Sequence, residues 1–254
     1  LIGVSINLSN LYHTYEYSKE TMRGKSELKY EGAAAKQTSS GLNRDYITQW
    51  SYGIGETFSL LVPNVKGGAS VPLSRSEKAM EKANPMYSSL YSQLTQYFGD
   101  QPMTSGPVYV GAFVLMLFIL GCFIVKGPMK WALLGATIFS ILLSWGKNFM
   151  GLTDFFIDYI PMYNKFRAVS SILVIAEFTI PLLAILTLKE ILTKPELLKE
   201  KLKYIYISFG LTGGLALLFA IAPRLFFPTY IPSNEMAALQ NALPADQLSP
   251  IIAN

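Results

Sequence analysis

Four long apolar stretches, nearly free of charged residues, occupy most of the second half of the chain. They cover residues 108–125, 129–146, 168–192 and 204–222. Each has roughly the 18 or more residues that a helix needs to cross the hydrocarbon core of a bilayer. In lipid, a helix satisfies all the backbone polar groups of such a segment. The pattern therefore predicts four membrane-spanning helices.

Residues 11–106 have a different pattern, in which charged residues, glycines and prolines interrupt short apolar runs. Such punctuation is typical of loops and short helices, for example at residues 75–83. We therefore expect a mixed loop lobe outside the membrane. The predicted fold class is mainly α: a polytopic transmembrane helical bundle with four complete helices, which carries this extracytoplasmic lobe.

The two ends of the chain complete the predicted domain organisation. The sequence begins on a short apolar run without Met, and it ends without a helix cap or a charged residue. We interpret the chain as an internal fragment of a longer polytopic protein. Its expected parts are the end of a truncated transmembrane helix (1–10), the loop lobe (11–106), the four-helix transmembrane region (107–222) and a truncated extracytoplasmic segment (223–254).

The distribution of lysines predicts the topology. Lys126 and Lys130 flank one short turn between apolar stretches. A second turn holds a cluster of five lysines: Lys189, Lys194, Lys199, Lys201 and Lys203. Short loops rich in Lys and Arg stay in the cytoplasm, whereas loops longer than about 60 residues escape this rule. Residues 11–106 and 147–167 are therefore predicted to be extracytoplasmic.

Composition favours a membrane protein over a nucleic-acid-binding one. The chain is 51% hydrophobic and 15% charged, and its formal net charge is +4. In a soluble chain this basic balance would favour nucleic acid as a partner, but here the excess cations are explained by topology. The lipid bilayer is the expected partner, and nucleic acid is not.

Cysteine and histidine limit the chemistry. Cys122 and His13 are the only residues of their types in the sequence. A disulfide needs two cysteines, and a zinc site combines several Cys or His ligands. The sequence therefore predicts no disulfide and no metal site built on these residues, and Cys122 is interpreted as lipid-facing or packed.

Two pairs of segments resemble the YfhO-type family of bacterial membrane proteins. The first pair is WSYGIGET at 50–57 and LVPNVKGG at 61–68. The second pair is LSWGKN at 143–148 and DFFIDYIPMYNKFR at 154–167. Both pairs resemble extracytoplasmic loops of that family, and the resemblance covers most of the chain.

The resemblance implies a C-type glycosyltransferase fold in the bacterial inner (cytoplasmic) membrane. Such an enzyme moves a sugar from a polyprenyl-phosphate carrier to an extracytoplasmic acceptor, here a cell-envelope glycan or glycolipid. The catalytic base of this superfamily is usually an acidic residue in the first outer loop. That loop is expected upstream of Leu1, so no catalytic residue is assigned within the chain.

Three cations are candidates for binding the phosphate of the carrier: Lys147, Lys165 and Arg167, which stand at expected helix ends. The planar guanidinium of Arg167 suits phosphate because it donates two parallel hydrogen bonds. In the alternative interpretation, these side chains only extend to the headgroup region, as Lys and Arg commonly do at helix ends.

Asp154 and Asp158 are four residues apart, so they share a face if residues 153–159 are helical. Paired carboxylates can activate an acceptor hydroxyl or hold a divalent cation, the only cofactor that the sequence suggests. In the alternative, Thr153 caps a short interfacial helix, the apolar residues 155–157 enter the membrane boundary, and the aspartates stay in water.

Glu177 lies inside the third apolar stretch, one turn before Pro181. A carboxylate at membrane depth costs a few kcal/mol and normally faces the bundle interior or an aqueous cavity. Pro181 removes the helical donor to the Glu177 carbonyl, which is expected to kink the helix. Glu177 is therefore a candidate for a substrate cavity or an ion site. The alternative is a protonated side chain that is bonded to a neighbouring helix.

Glu56 follows the Gly53-Ile54-Gly55 run and precedes an apolar run at 58–62, which is expected to rest on the membrane surface. This position makes Glu56 a candidate for lining the acceptor site. The alternative is a solvated loop glutamate.

Two other functional classes stay open at this point. A transporter or flippase of lipid-linked glycans would use the same basic rim and Glu177 without forming a bond. A non-catalytic membrane scaffold is the third class. Inverted repeats with broken helices would favour the transporter, and an acidic residue in an upstream outer loop would favour the enzyme.

Overall fold

The computed structural model of the protein describes residues 5–21, 41–81 and 83–227, together with residues 236 and 240. Over these ranges the chain is mainly helical and contains one two-stranded sheet. The predicted mainly α class is confirmed.

The α-helices, in chain order, are α1 (Leu8–Ser18), α2 (Arg44–Ile47), α3 (Glu77–Glu81), α4 (Ser88–Tyr91), α5 (Ala112–Ile124), α6 (Met129–Ser144), α7 (Met150–Tyr159), α8 (Val174–Thr193), α9 (Leu197–Glu200), α10 (Leu202–Phe209), α11 (Leu215–Ile221) and α12 (Pro223–Phe226). Short 3₁₀ turns are Gly55–Leu60, Leu73–Arg75, Pro85–Tyr87, Gly146–Phe149, Tyr163–Lys165 and Val169–Leu173. A π-helical turn, Gly210–Gly214, joins α10 to α11. The strands are β1 (Gly67–Pro72) and β2 (Thr95–Tyr97).

Two helices are long and apolar enough to cross a membrane. They are Val169–Thr193, which contains α8, and Leu202–Ile221, which contains α10 and α11, with mean hydropathies of 2.3 and 1.8. The pair Met129–Ser144 and Gly146–Tyr159 passes the same test together, but it is bent by 107° at its junction. The chain therefore has helices typical of a membrane protein, at the predicted third and fourth spans.

The first two predicted spans differ from the expectation. Of residues 108–125, only Ala112–Ile124 form the helix α5, whose 13 residues are too few for a complete span. At 1.5 Å per residue such a helix is about 20 Å long, whereas the hydrocarbon core is about 30 Å thick. The second stretch is helical up to Ser144, where the chain turns. Four complete spans are thus not confirmed within the described ranges.

The chain divides into two compact units. The first comprises the described residues up to Ser51 together with Leu142–Ile172, and the second comprises Tyr52–Ile141 and the described residues from Leu173 onward. The division after Ser51 lies within the predicted loop lobe. At the predicted chain ends, residues 1–4 and nearly all of 228–254 lie outside the described residues.

The first unit is built around a small apolar core. Leu42, Ile47 of α2 and Ile157 of α7 are buried together, and Tyr46 and Tyr163 pack against them. Burial of these side chains attaches α2 to α7, because neither helix alone has a second element to cover its apolar face.

Thr153 is also buried in the first unit, and its position corrects a prediction. α7 begins at Met150, and the Thr153 hydroxyl lies 2.9 Å from the carbonyl oxygen of Gly146 and 3.2 Å from that of Phe149. Thr153 therefore bonds backwards from within the helix, and its predicted role as the N-cap is wrong.

The helices of the second unit pack through small and hydroxylated residues. A Cβ at Gly121 of α5 would overlap the hydroxyl of Thr187 of α8, so glycine is what allows this close approach. The hydroxyls of Thr137 in α6 and Thr179 in α8 lie 2.7 Å apart. Close backbone approach and hydroxyl contacts of this kind stabilise helix pairs in apolar surroundings.

Replacing Gly146 with alanine is expected to destabilise the first unit by about 2 kcal/mol or more. Gly146 has φ +45°, and a Cβ there would overlap the hydroxyl of Ser51 and come within 2.6 Å of Val169. A side chain at positive φ costs roughly 1–2 kcal/mol, and overpacking adds a similar amount. The measurement is thermal unfolding of the purified protein in detergent.

Gly151 in α7 is the matched control for this substitution. A Cβ there would meet no other atom of the described chain within 4 Å. Alanine is favoured over glycine in helices by about 0.5–1 kcal/mol, so Gly151→Ala should leave the melting temperature unchanged or slightly raised. Equal melting temperatures for the two variants would contradict the tight packing at Gly146.

Candidate functional site

The side chain of Glu56 is buried in the second unit, where the residue is only 3% exposed. Its carboxylate accepts hydrogen bonds from the hydroxyl of Tyr97 and from the backbone N–H of Gly53, the latter at 2.5 Å. The Tyr97 oxygen accepts in turn from the N–H of Gln101 at 2.9 Å. Burial of this depth shows that the alternative of a solvated loop glutamate is wrong.

Two more hydroxyls extend the network around Glu56. The Tyr52 oxygen lies 3.0 Å from the carbonyl oxygen of Glu56 and 2.5 Å from Ser59 Oγ. Ser59 Oγ lies 3.0 Å from the carbonyl oxygen of Val108, just before α5. Tyr52 and Ser59 each have one hydroxyl hydrogen, and each hydroxyl can donate or accept a hydrogen bond. Their contacts connect the Glu56 loop to the residues just before α5.

Aromatic packing holds the 3₁₀ turn that carries Glu56. The ring of Phe58 lies 5.2 Å from that of Phe219 in α11 and 6.0 Å from that of Phe226 in α12. Leu60 and Leu61 are also buried. The apolar run at 58–62 thus packs within the protein, and the expectation that it rests on the membrane surface is wrong.

Glycines make room for the carboxylate. A Cβ at Gly99 would overlap both Glu56 Oε1 and the Tyr97 hydroxyl. At Gly53 it would lie 3.1 Å from Glu56 Oε2 and from a carboxylate oxygen of Asp100. Gly53 and Gly99 therefore have a packing role around the Glu56 carboxylate.

Lys66 brings a cation to the same region. Its Nζ lies 4.3 Å from the centre of the Phe227 ring and 5.7 Å from that of Phe98. Electrostatic attraction to Asp100 and Glu56 also acts on this ammonium group. Aromatic faces and nearby carboxylates together stabilise a half-buried lysine.

Burial shifts the pKa values of these groups in the direction that favours their neutral forms. Burial raises the pKa of the Glu56 carboxyl even though the bonds from Tyr97 and Gly53 oppose the change. Burial also lowers the pKa of Lys66, and it raises the pKa of Tyr52 to about 12. A raised pKa makes an ionised carboxylate a better proton acceptor, which is what a general base needs.

A small cleft opens onto this group. It is lined by Glu56, Lys66 and Tyr97, with the hydroxyl-bearing residues Ser59 and Thr104. The space holds about one water molecule, which is also the size of one hydroxyl group. Each carboxylate oxygen can accept more than one hydrogen bond, so Glu56 can receive a further donor from the cleft.

Asp154 and Asp158 lie in the first unit, on one face of α7 as predicted. Both are bound by Arg44 of α2: Nη1 contacts Asp154, and Nη2 lies 2.6 Å from Asp158. The guanidinium takes the position that the sequence-based hypothesis gave to a divalent cation. Within the described ranges no group of three or more His, Cys, Asp or Glu side chains is placed to hold a metal ion.

Arg167 lies exposed in the first unit, against two aromatic rings. Its guanidinium carbon is 4.9 Å from the centre of the Trp50 ring and 5.2 Å from that of Tyr46, and Nη1 donates to the Tyr46 hydroxyl at 2.7 Å. Lys165 is half-buried in the turn before it, and Lys147 is exposed, with its backbone N–H bonded to Ser51 Oγ at 2.8 Å.

Glu177 lies within the apolar helix Val169–Thr193, in the third predicted span. The α-helical geometry of α8 begins at Val174, so Glu177 lies in the first turn, where the helix dipole favours a carboxylate. It is exposed rather than turned toward the described helices, and its charge contributes to the raised pKa of Tyr52. α8 continues through Pro181 as a single helix.

Several residues of these sites have no signal in the sequence. Tyr97 and Lys66 lie in a lobe with many tyrosines and lysines, and Arg44 is 110 residues away from Asp154. Short polar motifs report local geometry, whereas these contacts depend on how distant segments pack. Glu56 itself has a sequence signal, because it lies in a glycine-containing loop segment, and functional residues are often on loops.

Comparison with known proteins found no match to any family model, any curated protein or any solved structure. The function is therefore inferred from the sequence and the geometry of this chain.

Glu56→Gln is expected to remove one component of the pH dependence of stability. Above pH 4.5 the unfolded chain releases the Glu56 proton, while the folded protein keeps it up to its higher pKa. The folded state binds more protons across this window, so stability falls as the pH rises. Melting temperatures measured from about pH 4 to about pH 8 should fall less steeply for the variant than for the wild-type protein.

The control for this measurement is Glu77→Gln, on exposed α3. It should keep the pH dependence of the wild-type protein. If Glu56→Gln does the same, burial does not control the ionisation of Glu56.

Proposed function

We propose that the protein is a membrane glycosyltransferase that moves a sugar from a polyprenyl-phosphate carrier to a cell-envelope glycan or glycolipid. The YfhO-type resemblance of the sequence motivates this class. The single observation that supports it best is the buried Glu56 carboxyl, which faces a cleft of hydroxyl size next to Tyr97 and Lys66.

The proposed role of Glu56 is to accept the proton of an acceptor hydroxyl, in place of the acidic residue upstream of Leu1 that the family resemblance implies. In the transfer, the acceptor oxygen forms a bond to the sugar carbon, the bond between that carbon and the carrier phosphate breaks, and polyprenyl phosphate leaves. The acceptor hydroxyl gives up its proton in this step, and an ionised carboxylate with a raised pKa is suited to accept it. Tyr97 and Gly53 hold the carboxylate in one orientation, which reduces the reorganisation needed during the reaction. Lys66 is placed to stabilise negative charge that develops nearby.

The proposed topology follows the distribution of lysines. α5, α6, α8 and the α10–α11 helix form the four membrane-associated helices, and the turns around Lys126 and Lys199 face the cytoplasm. Residues 11–106 and 147–167 then face the other side of a bacterial inner membrane. In this arrangement Glu56 is extracytoplasmic, on the side where polyprenyl-linked sugars are used.

Glu56→Gln should lower sugar transfer by about 10²–10⁴-fold, the usual contribution of general acid–base catalysis. The assay uses membranes that contain the protein and radiolabelled polyprenyl-phosphate sugars. Glu77→Gln at equal expression is the control and should retain full transfer. Transfer that is unchanged in Glu56→Gln would make Glu56 a structural residue and would remove the proposed role.

Arg167→Ala in the same assay tests the phosphate hypothesis of the sequence. A large loss of transfer would support a carrier phosphate at Arg167, whereas unchanged transfer would assign Arg167 to the membrane interface. An absence of transfer by the wild-type protein, with several donors, would overturn the enzyme proposal.

One structural feature favours the alternative of a transporter or flippase. The apolar pair Met129–Ser144 and Gly146–Tyr159 is broken at its junction, and broken helices are common near the substrate sites of transporters. Wild-type protein that moves lipid-linked glycans across vesicle membranes, without forming a glycosidic bond, would establish this alternative.

The topology has its own test by cysteine labelling in intact cells. With Cys122 replaced by alanine, Lys199→Cys should not react with an impermeant thiol reagent, because its turn is proposed to face the cytoplasm. Ser105→Cys, at an exposed position of the proposed outer lobe, should react. The reverse result would invert the proposed topology.

A further inference from the structure

α7 has apolar residues on two opposite faces. Ile157 and Thr153 form its buried face, which packs into the first unit. Successive helical residues are rotated by about 100°, so Phe155 lies about 200° away from both of them. Phe155 and Tyr159 therefore form a second face on the outer side of the helix, and they are 51% and 73% exposed.

The outer face continues into an aromatic ladder. The rings of Phe155 and Tyr159 lie 5.2 Å apart, and those of Phe155 and Phe156 lie 5.8 Å apart. After the helix, Ile160, Met162 and Phe166 are also exposed. Several exposed apolar side chains within one short segment are uncommon on a protein surrounded by water, and they mark an interaction site.

The acidic stripe between the two faces is partly neutralised, because one guanidinium pairs with two carboxylates. Asp154 and Asp158 are the only acidic residues of α7, and Arg44 binds both. This pairing lets the helix approach an apolar or anionic surface without two uncompensated carboxylates. The ion pairs thus lower the electrostatic obstacle to such an approach.

Cations stand at both ends of the segment. Lys147 precedes α7, and Lys165 and Arg167 follow it. Trp50 and Tyr46 hold the guanidinium of Arg167 in one position, and part of it stays exposed. The apolar helix Val169–Thr193, long enough to cross a membrane, starts two residues after Arg167.

We propose that this surface, defined by Phe155, Tyr159, Ile160, Met162, Phe166 and Arg167, docks onto the interface of the lipid bilayer. Its apolar side chains lie among the upper parts of the acyl chains, and Arg167 binds the phosphates of bilayer lipids. Aromatic rings, short apolar side chains and flanking cations are the combination that membrane interfaces favour.

A lipid surface explains the pattern better than a partner protein does. The chain enters a membrane-spanning helix directly after Arg167, so this segment has to lie close to the membrane on the same side. Ile157, which the sequence placed at the membrane boundary, is only 3% exposed and belongs to the core. Tyr159 is exposed and lies on the docking face instead.

The proposal is tested by fluorescence quenching on the whole chain in vesicles of phosphatidylethanolamine and phosphatidylglycerol. Cys122 is replaced by alanine, and Phe155→Cys carries an environment-sensitive fluorophore. Lipids brominated near the headgroup should quench it more strongly than lipids brominated near the chain end, and aqueous iodide should quench it weakly. Tyr159→Cys, on the same face, should give the same result.

Gln49→Cys is the matched control, since Gln49 is an exposed polar position of the same unit. Its label should be quenched by iodide and not by brominated lipids. If the labels at 155 and 159 behave like the label at 49, the surface faces water and the proposal is overturned. Strongest quenching by bromines near the chain end would also overturn it, because α7 would then cross the membrane.

The part played by Arg167 is separated by a charge substitution. Arg167→Gln with the label at 155 should show clearly greater quenching by iodide than the Arg167 protein, whereas Arg167→Lys should keep most of the protection. Equal protection in all three would remove Arg167 from the docking surface. None of these readouts depends on sugar transfer, so their outcome is independent of the proposed enzymatic function.

Discussion

Burial of the Glu56 carboxylate is the constraint around which the polar part of the second unit is arranged. A carboxylate removed from water needs donors from the protein, since unsatisfied charge in a buried position is strongly unfavourable. Tyr97 and the Gly53 N–H provide these donors. Tyr97 is positioned at the end of β2, and Gly99 lacks the Cβ that would overlap the carboxylate. Ring contacts of Phe58 hold the turn that carries Glu56.

The two units treat their carboxylates in opposite ways. In the second unit, burial raises the pKa of the Glu56 carboxyl, although the hydrogen bonds from Tyr97 and Gly53 oppose this change. In the first unit, Asp154 and Asp158 are partly exposed and share the guanidinium of Arg44 in a structural ion pair. This contrast is the physical reason for placing the proposed chemistry at Glu56 and the proposed membrane contact on α7.

The proposed membrane association and the proposed chemistry involve the same helices of the second unit. α11 and α12 hold the 3₁₀ turn of Glu56 by contacts between phenylalanine rings, so the proposed site stands at the end of an apolar helix rather than on a separate domain. An enzyme that uses a lipid-linked substrate needs its reactive group close to the membrane surface. The interfacial surface of α7 would serve the same purpose by keeping the first unit at the membrane boundary.

Apolar run length is a local property, and it allowed the sequence alone to determine the positions of α5, α6, α8 and the α10–α11 helix. Lengths were harder to predict: residues 108–125 contain only a 13-residue helix, because the flanking residues enter other contacts, as Val108 does with Ser59. The shared face of Asp154 and Asp158 also followed from spacing alone, since it depends only on helical geometry.

Only the tertiary structure decided which groups these residues meet. Arg44 is 110 residues from Asp154, and Tyr97 is 41 residues from Glu56, so no local pattern could pair them. The same holds for the burial of Glu56 and for the exposed position of Glu177 in the first turn of α8. Sequence spacing determines where helices form and which of their residues share a face, whereas burial and pairing depend on packing between distant segments.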